Sequence, residues 1–208
     1  MPYVKGIDML NFIKDNLYII VKHIANQIGM AMFGLMLSMA ASMATANSDN
    51  AGVLMLAVGI FSALFYLFLL YTLSWDYGAK EKIRVDGKRL KYQPLKGLYF
   101  SLCANAVNIL LGIAIVISYL FVNMGTTEAT LTQVLMQIGL FLQAMYSGII
   151  GYINDFVPFA SPLIPALYLL IILPSLAVCA WGYYFGVNDK SLTRIFTGKA
   201  PKYPEDRS

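Results

Sequence analysis

Residues 76–96, DYGAKEKIRVDGKRLKYQPLK, separate two long apolar stretches and decide the fold that we predict for this chain. Nearly half of the 15 Lys and Arg residues lie within them. The seven are Lys80, Lys82, Arg84, Lys88, Arg89, Lys91 and Lys96. Asp76, Glu81 and Asp86 dilute this charge. Because loops rich in Lys and Arg stay on the cytoplasmic side of a membrane, we predict that 76–96 is a short cytoplasmic basic loop.

The composition of the chain indicates an integral membrane protein. Of its 208 residues, 59% are apolar and 12% are charged, whereas soluble domains average about 45–50% and about 25%. The apolar residues form runs long enough to span a bilayer, and the positive residues lie outside those runs. We therefore attribute the net charge of +4 to the positive segments that orient the chain in the membrane. We expect the lipid bilayer as a partner and no nucleic acid.

Four apolar runs are predicted as transmembrane spans. At 1.5 Å per residue, each can cross a hydrocarbon core of about 30 Å. Their predicted limits are 24–45, 52–75, 98–124 and 162–187. The predicted fold is an all-α four-span helix bundle in one domain, 1–187, followed by a basic cytoplasmic tail, 188–208. Pro174 should kink the last span.

The segment before the first span has the spacing of an amphipathic helix, over 7–22. Such a helix either lies in the inner interface or leads straight into the first span. A cleaved signal peptide is the alternative, with an apolar core at 28–37 and a cleavage pattern at Ala44 to Ala46. The long leading segment of mixed charge favours an uncleaved span.

The distribution of positive charge predicts the topology. All 15 basic residues fall in the first 27 residues, in 76–96 or in 188–208, and none falls in 46–51 or 125–160. The three basic segments share one side only if an even number of spans separates each pair. Both termini are therefore predicted to be cytoplasmic, in a cell membrane.

This even count conflicts with the apolar character of 129–153, where we predict an extra helix over about 128–150. We expect an amphipathic helix that lies on the outer interface or caps the bundle. A re-entrant hairpin that returns to the outer side is the second interpretation. A fifth span with an external tail is the third.

Four amides are candidates for a polar layer inside the membrane. They are Asn26, Gln27, Asn105 and Asn108, all predicted in the cytoplasmic half of the bundle. Such a layer could line a path for a solute or ion, but amides also join helices as structural hydrogen bonds. No acid or base is predicted to be embedded with them. His23 is expected to be solvated beside Lys22, with a proton-relay role as the alternative.

No pattern typical of an enzyme is present in the sequence. Nucleotide-binding, serine-hydrolase and zinc-protease motifs are missing. One histidine and no Cys-x-x-Cys spacing give no basis for a metal site. Cys103 and Cys179 are expected to be buried as small apolar side chains. We therefore predict no catalytic residue, no metal and no cofactor.

Three functional hypotheses follow. Stripes of small residues on the spans favour a non-catalytic protein that acts through helix–helix or lipid contacts. It would be an accessory subunit or a small oligomer, with itself or another membrane protein as the partner. The alternative is a small oligomeric transporter or channel with a polar face on span three. A membrane enzyme has the least support.

The topology can be tested with reporters fused after Ser208 and inserted after Lys91. Both reporters should be active only in the cytoplasm, because each follows a basic segment. A reporter after Ser208 that is active only outside the cell would contradict the even number of crossings.

Overall fold

A computed structural model describes residues 9–45, 51–125, 129–157 and 163–190, and within these ranges all regular secondary structure is helical. The α-helices of the described residues are α1 (Met9–Ala44), α2 (Ala51–Asp86), α3 (Lys96–Ala104), α4 (Ala106–Asn123), α5 (Ala129–Leu142), α6 (Ser147–Phe156), α7 (Ile164–Leu170) and α8 (Ile172–Val187). A short 3₁₀ turn, Ala144–Tyr146, joins α5 to α6.

Within the described ranges, four helical segments are long and apolar enough to cross a membrane, as predicted. They are α1, α2, α4 and the combined α7–α8 segment, Ile164–Val187. The prediction of an all-α protein with four such helices is confirmed. The break between α7 and α8 lies at Ile171, in the turn before Pro174, because a proline ring clashes with the preceding turn of a helix. Residues 191–208 of the predicted tail lie outside the described ranges.

The predicted amphipathic helix and the first predicted span form one continuous helix, α1, over the described part of both. Phe12 and Ile19, from the amphipathic part, are buried. Met9, Leu10 and Leu17, from the same part of α1, are more than half exposed, so only one side of this segment packs inside the protein. Of the two predicted placements, in the inner interface or leading straight into the first span, the continuous helix α1 has the second.

The predicted basic loop is partly wrong, because its first half is helical. α2 continues to Asp86 and carries Lys80, Lys82 and Arg84. These residue types favour helix, and a 2.6 Å ion pair between Lys80 and Asp76 spans one turn. With 36 residues, α2 is about 54 Å long, well beyond an apolar core of about 30 Å.

The remaining connection, 87–95, is shorter than predicted. Lys88, Arg89 and Lys91 lie in it and are exposed, and Lys88 has a φ of 56°. Lys96 is not in the loop: it begins α3 and is buried. The basic loop therefore keeps three of its seven predicted cations, and the other four lie on helices.

The described parts of the three basic segments lie at one end of the bundle, which we call the basic end. Near the start of α1, the Phe12 ring is 5.9 Å from that of Tyr99 on α3. At the end of α2, Trp75 Nε1 donates a 2.8 Å hydrogen bond to the Lys190 carbonyl, just after α8. Lys82 also lies 3.4 Å from Asp189. Over the described residues, the start of α1, the α2–α3 connection and the end of α8 thus meet at the same end of the bundle.

Small residues bring the long helices close together. A Cβ added at Gly182 on α8 would lie 2.8 Å from the Tyr71 carbonyl oxygen on α2. One added at Gly59 on α2 would lie 2.7 Å from the backbone of α6. Several small-residue positions that predicted contacts with partners are therefore occupied by contacts within the chain.

The α5–α6 pair is bent by 89°, and the bend lies inside the bundle. Ala144 and Met145 are each only 1% exposed. α5 runs antiparallel to α4, to which it is joined by a 2.6 Å hydrogen bond between Ser118 and Thr132. The buried centre does not fit a helix that lies flat on the outer surface, which was one form of our first expectation for this segment.

α6 returns towards the end of the bundle at which α5 entered. Gly148, near its start, packs against Gly59, two turns into α2. Asp155, near its end, lines a pocket with Ala51 and Gly52 at the first turn of α2. Both helices of the pair therefore extend from the buried bend towards the side opposite the basic end.

Two glycines of α1 provide a matched test of this packing. Gly34→Ala should lower the thermal unfolding midpoint in detergent, because its Cβ would lie 2.6 Å from the Met145 backbone and overpacking costs about 1–3 kcal/mol. Gly29→Ala should leave the midpoint unchanged or raise it, since nothing lies within 4 Å of its Cβ and alanine favours helix. Circular dichroism measures both, and equal midpoints would contradict this packing of α5–α6.

Candidate functional site

Polar side chains from α1, α2, α3–α4, α8 and the bend between α5 and α6 form a column that runs from the basic end to the centre of the bundle. On α8 its members recur every four residues, so they share one helix face. We divide this polar column into an inner layer (Asn16, Tyr77, Glu81, Lys96, Tyr183), a middle layer (His23, Ser74, Ser101, Cys179) and a central cavity (Gln27, Tyr66, Asn105, Asn108, Gln143, Tyr146, Ser175).

An ion pair between Glu81 and Lys96 lies at the centre of the inner layer. Glu81 is 2% exposed and Lys96 is 6% exposed. The Tyr183 hydroxyl donates a 2.6 Å hydrogen bond to Glu81 Oε2. The Lys96 ammonium also lies 5.4 Å from the centre of the Tyr77 ring, within the range of a cation–π contact. Glu81 is therefore paired at both of its oxygens.

Asn16 extends this network to α1. The Tyr77 hydroxyl donates to Asn16 Oδ1 at 2.8 Å, and Asn16 Nδ2 donates to the Phe12 carbonyl oxygen at 2.8 Å. Four helices thus share one hydrogen-bonded cluster. Such saturation is what allows charges to be buried, since an unpaired buried charge is strongly destabilising.

Sequence reasoning missed this pair because it placed both partners in a solvated loop. A signal was nevertheless present along α2. Tyr66, Leu70, Ser74 and Gly78 recur at four-residue spacing, and all are buried. Continuing that face into the basic segment reaches Glu81, which would have identified it as a residue facing the bundle.

His23 is the centre of the middle layer and is only 2% exposed. The prediction that it is solvated is wrong, because α1 packs its whole length against the other helices. Its Nε2 lies 3.4 Å from Ser74 Oγ and its Nδ1 lies 3.9 Å from Cys179 Sγ. Cys179 is buried, as predicted. The expectation that no acid or base is embedded in the bundle is wrong for both His23 and Glu81.

The Ser74, His23 and Cys179 side chains resemble a nucleophile–base arrangement only in composition. Ser74 is 0% exposed and Cys179 is 1% exposed, so neither has space for a substrate beside it. Their geometry places three protic groups next to one another in the interior of the bundle.

Phe100 separates the inner and middle layers. Its ring lies 5.1 Å from His23, 5.8 Å from Tyr77 and 6.2 Å from Tyr183, measured between ring centres. It is completely buried. In this conformation, an apolar ring therefore interrupts the polar column between Glu81 and His23.

Three of the four predicted amides line the central cavity: Gln27, Asn105 and Asn108. Asn26 is the exception. It precedes Gln27 on α1, and neighbouring residues of a helix point about 100° apart. Asn26 Nδ2 is buried without a partner among the described residues. The cavity has about 10 Å³ of space for the centre of a water molecule, which is room for about one water.

Helix interruptions meet at this cavity. Asn105, between α3 and α4, Gln143, after α5, and Ile171, between α7 and α8, all line it. Gln143 Oε1 and the Tyr146 hydroxyl have no hydrogen-bond partner in the described structure. Interrupted helices at membrane depth are tolerated where they line a cavity, and they form the binding sites of many transporters.

Polar groups continue from the cavity towards the opposite end. Tyr146 is followed by Ser147, whose Oγ lies 2.7 Å from Ser38 Oγ on α1. Beyond it lies the pocket of about 180 Å³ that Asp155 lines. Asp155 is exposed and lies near the end of α6. The described part of the chain has no cluster of three potential metal ligands among His, Cys, Asp and Glu.

The inner layer can be tested by a charge-balanced pair of variants. Lys96→Met should destabilise the protein by about 3–5 kcal/mol, because it leaves Glu81 buried without its counter-charge. Glu81→Gln in the same protein should recover most of that loss while retaining an acceptor for Tyr183. Chemical unfolding in detergent measures both variants.

Lys80→Met is the control for this test, since Lys80 belongs to an exposed ion pair on the same helix. Its unfolding midpoint should match that of the parent protein. A Lys96→Met variant as stable as the Lys80→Met variant would show that the Glu81–Lys96 pair is not buried as described.

Comparison of the chain with protein-family models, with curated proteins and with solved structures found no match in any of the three. The functional conclusion therefore depends on the geometry of the polar column alone.

Proposed function

We propose that this protein conducts protons across a cell membrane through the polar column. The observation that carries the proposal is the alignment of a buried carboxylate, Glu81, and a buried imidazole, His23, along one line of protic side chains. Titratable groups inside a membrane bundle are costly to bury and commonly serve as proton relays. A cavity with room for about one water suits a proton better than a larger solute.

The proposed path is closed in the conformation described. Phe100 blocks it between the inner and middle layers, and Met145, at the bend of α5–α6, packs beside the central cavity. Conduction therefore requires movement of the Phe100 ring and of the bend. The hydroxyls of Ser38 and Ser147 then link the cavity to the side opposite the basic end.

This proposal revises the preference drawn from the sequence. The small-residue stripes had favoured an accessory subunit, but Gly34, Gly59 and Gly182 pack against other helices of the same chain. The alternative, a transporter or channel, gains support from Gln27, Asn105 and Asn108 at the central cavity. The column lies within one chain, so the proposed path needs no oligomer.

In the proposed orientation the basic end faces the cytoplasm, as the positive charge of the three basic segments favours. Both termini are then cytoplasmic, and α5–α6 re-enters the bundle from the outer side. The Glu81–Lys96 pair lies near the inner interface, where water can reach it when the path opens.

Proton entry into liposomes tests the proposal. The purified protein is reconstituted in vesicles that contain a pH-sensitive dye, and valinomycin with a potassium gradient drives protons inward. Wild-type vesicles should acidify faster than protein-free vesicles. Phe100→Ala should accelerate entry further, because it removes the ring that separates Glu81 from His23.

Two further variants separate conduction from stability. His23→Gln and the charge-balanced Glu81→Gln/Lys96→Met protein should reduce entry to the rate of protein-free vesicles. Asp76→Asn, which changes a carboxylate 46% exposed on the same helix as Glu81, should conduct like wild type. Folded His23→Gln and double variants with wild-type rates would contradict the proposal.

A further inference from the structure

A lateral groove opens beside the central cavity, between α1, α3–α4 and α5. Its volume is about 240 Å³. Ten of its twelve lining residues are apolar, and the other two are Gln27 and Asn108. These two amides also line the central cavity. They therefore stand between an apolar groove on one side and the polar column on the other.

The two amides are the polar side chains that the groove presents to a ligand. Gln27 is 8% exposed and Asn108 is 4% exposed, and both line the groove as well as the central cavity. An amide buried without hydrogen bonds is unfavourable, and most so at membrane depth where water is scarce. Their position therefore allows a polar group from outside the chain to form hydrogen bonds with them.

The mouth of the groove faces sideways rather than towards an end of the bundle. Ile28 and Met32 of α1, Val107 of α4 and Phe141 of α5 form its walls and are each more than half exposed. Exposed apolar walls on the flank of a membrane bundle lie against lipid. A ligand from the bilayer can therefore enter without crossing either end of the protein.

Charge and size restrict the ligand further. No Asp, Glu, Lys or Arg lines the groove or the central cavity, so a charged group would be desolvated there without a counter-charge. The volume is below the roughly 300–1,000 Å³ of pockets that enclose a drug-sized molecule. Part of a single chain fits this groove better than a complete two-chain lipid.

We infer that the groove binds a single-chain amphiphile from the bilayer, with an uncharged hydroxyl or carbonyl group hydrogen-bonded to Gln27 and Asn108. Its chain lies along Ile28, Met32, Val107 and Phe141. This site goes beyond the proposed proton path, because binding at the groove does not require conduction.

Photo-crosslinking in phosphatidylcholine nanodiscs tests the inference. One probe is a monoacylglycerol with a diazirine in its chain, and the other is a diazirine hydrocarbon of the same chain length. Mass spectrometry of peptides reports labelling of the groove walls. The monoacylglycerol should label them about fivefold to tenfold more than the hydrocarbon, as expected when one or two hydrogen bonds are formed.

The Gln27→Leu/Asn108→Leu double variant should lose this preference while it is still labelled by the hydrocarbon. Gln133→Leu, at an exposed amide of α5, should retain it. Val107→Trp, which obstructs the groove from its lipid-facing wall, should reduce labelling even if the double variant does not fold. Equal labelling by both probes in the parent protein, or a preference that persists in the folded double variant, would overturn the inference.

Failure of this test is distinguishable from failure of proton conduction. Labelling measures occupancy of the groove in the absence of any gradient, whereas the liposome experiment measures entry through the column. A protein that conducts protons without a labelling preference would overturn the amphiphile site alone.

Discussion

The burial of Glu81 against Lys96 is the constraint on which the arrangement of this bundle depends. Neither charge tolerates burial alone, so the helices that carry them must meet with the correct rotation and depth. Tyr183 then joins α8 to the pair, and Asn16 joins α1 through Tyr77. One cluster thereby sets the mutual register of four helices at the basic end.

Close backbone contact supplies the complementary constraint in the rest of the bundle. Apolar side chains give little specificity between helices in lipid, since the lipid tails are equally apolar. Glycine removes the side chain and allows a neighbouring backbone to approach, as at Gly182 beside Tyr71 of α2. The polar column differs from this tightly packed interior, because it contains buried polar atoms, such as Gln143 Oε1, that have no hydrogen-bond partner among the described residues.

Most of the helical segments could be predicted from the sequence, but their ends could not. Apolar runs and the positions of Lys and Arg indicated four spanning segments, and the structure has four suitable helical segments. The end of α2 was predicted too early, because the first charged residues were taken to mark the end of the helix. Lys and Glu favour helix, so α2 continues beyond the apolar run. A reversal within 129–153 was only the second interpretation, and the position of the bend at 143–146 was not predicted, because hydropathy reports composition and not direction.

The candidate site was predicted only in part, for an identifiable reason. Spacing along one helix placed Asn105 and Asn108 on a common face, and both line the central cavity. Glu81, Lys96 and His23 were treated as solvated because each lies beside other charged residues in the sequence. The sequence around a residue shows only its neighbours along the chain, whereas its burial depends on the side chains of the other helices that pack against it.

The sequence by itself determined which segments are apolar and that the basic segments must share one end, because both depend on composition summed over many residues. Only the tertiary structure decided which charges are buried and where α5–α6 turns back. Glu81 meets Lys96 across 15 positions and Tyr183 across 102. The free energy of a buried polar group depends on such distant partners, and no local pattern reports them.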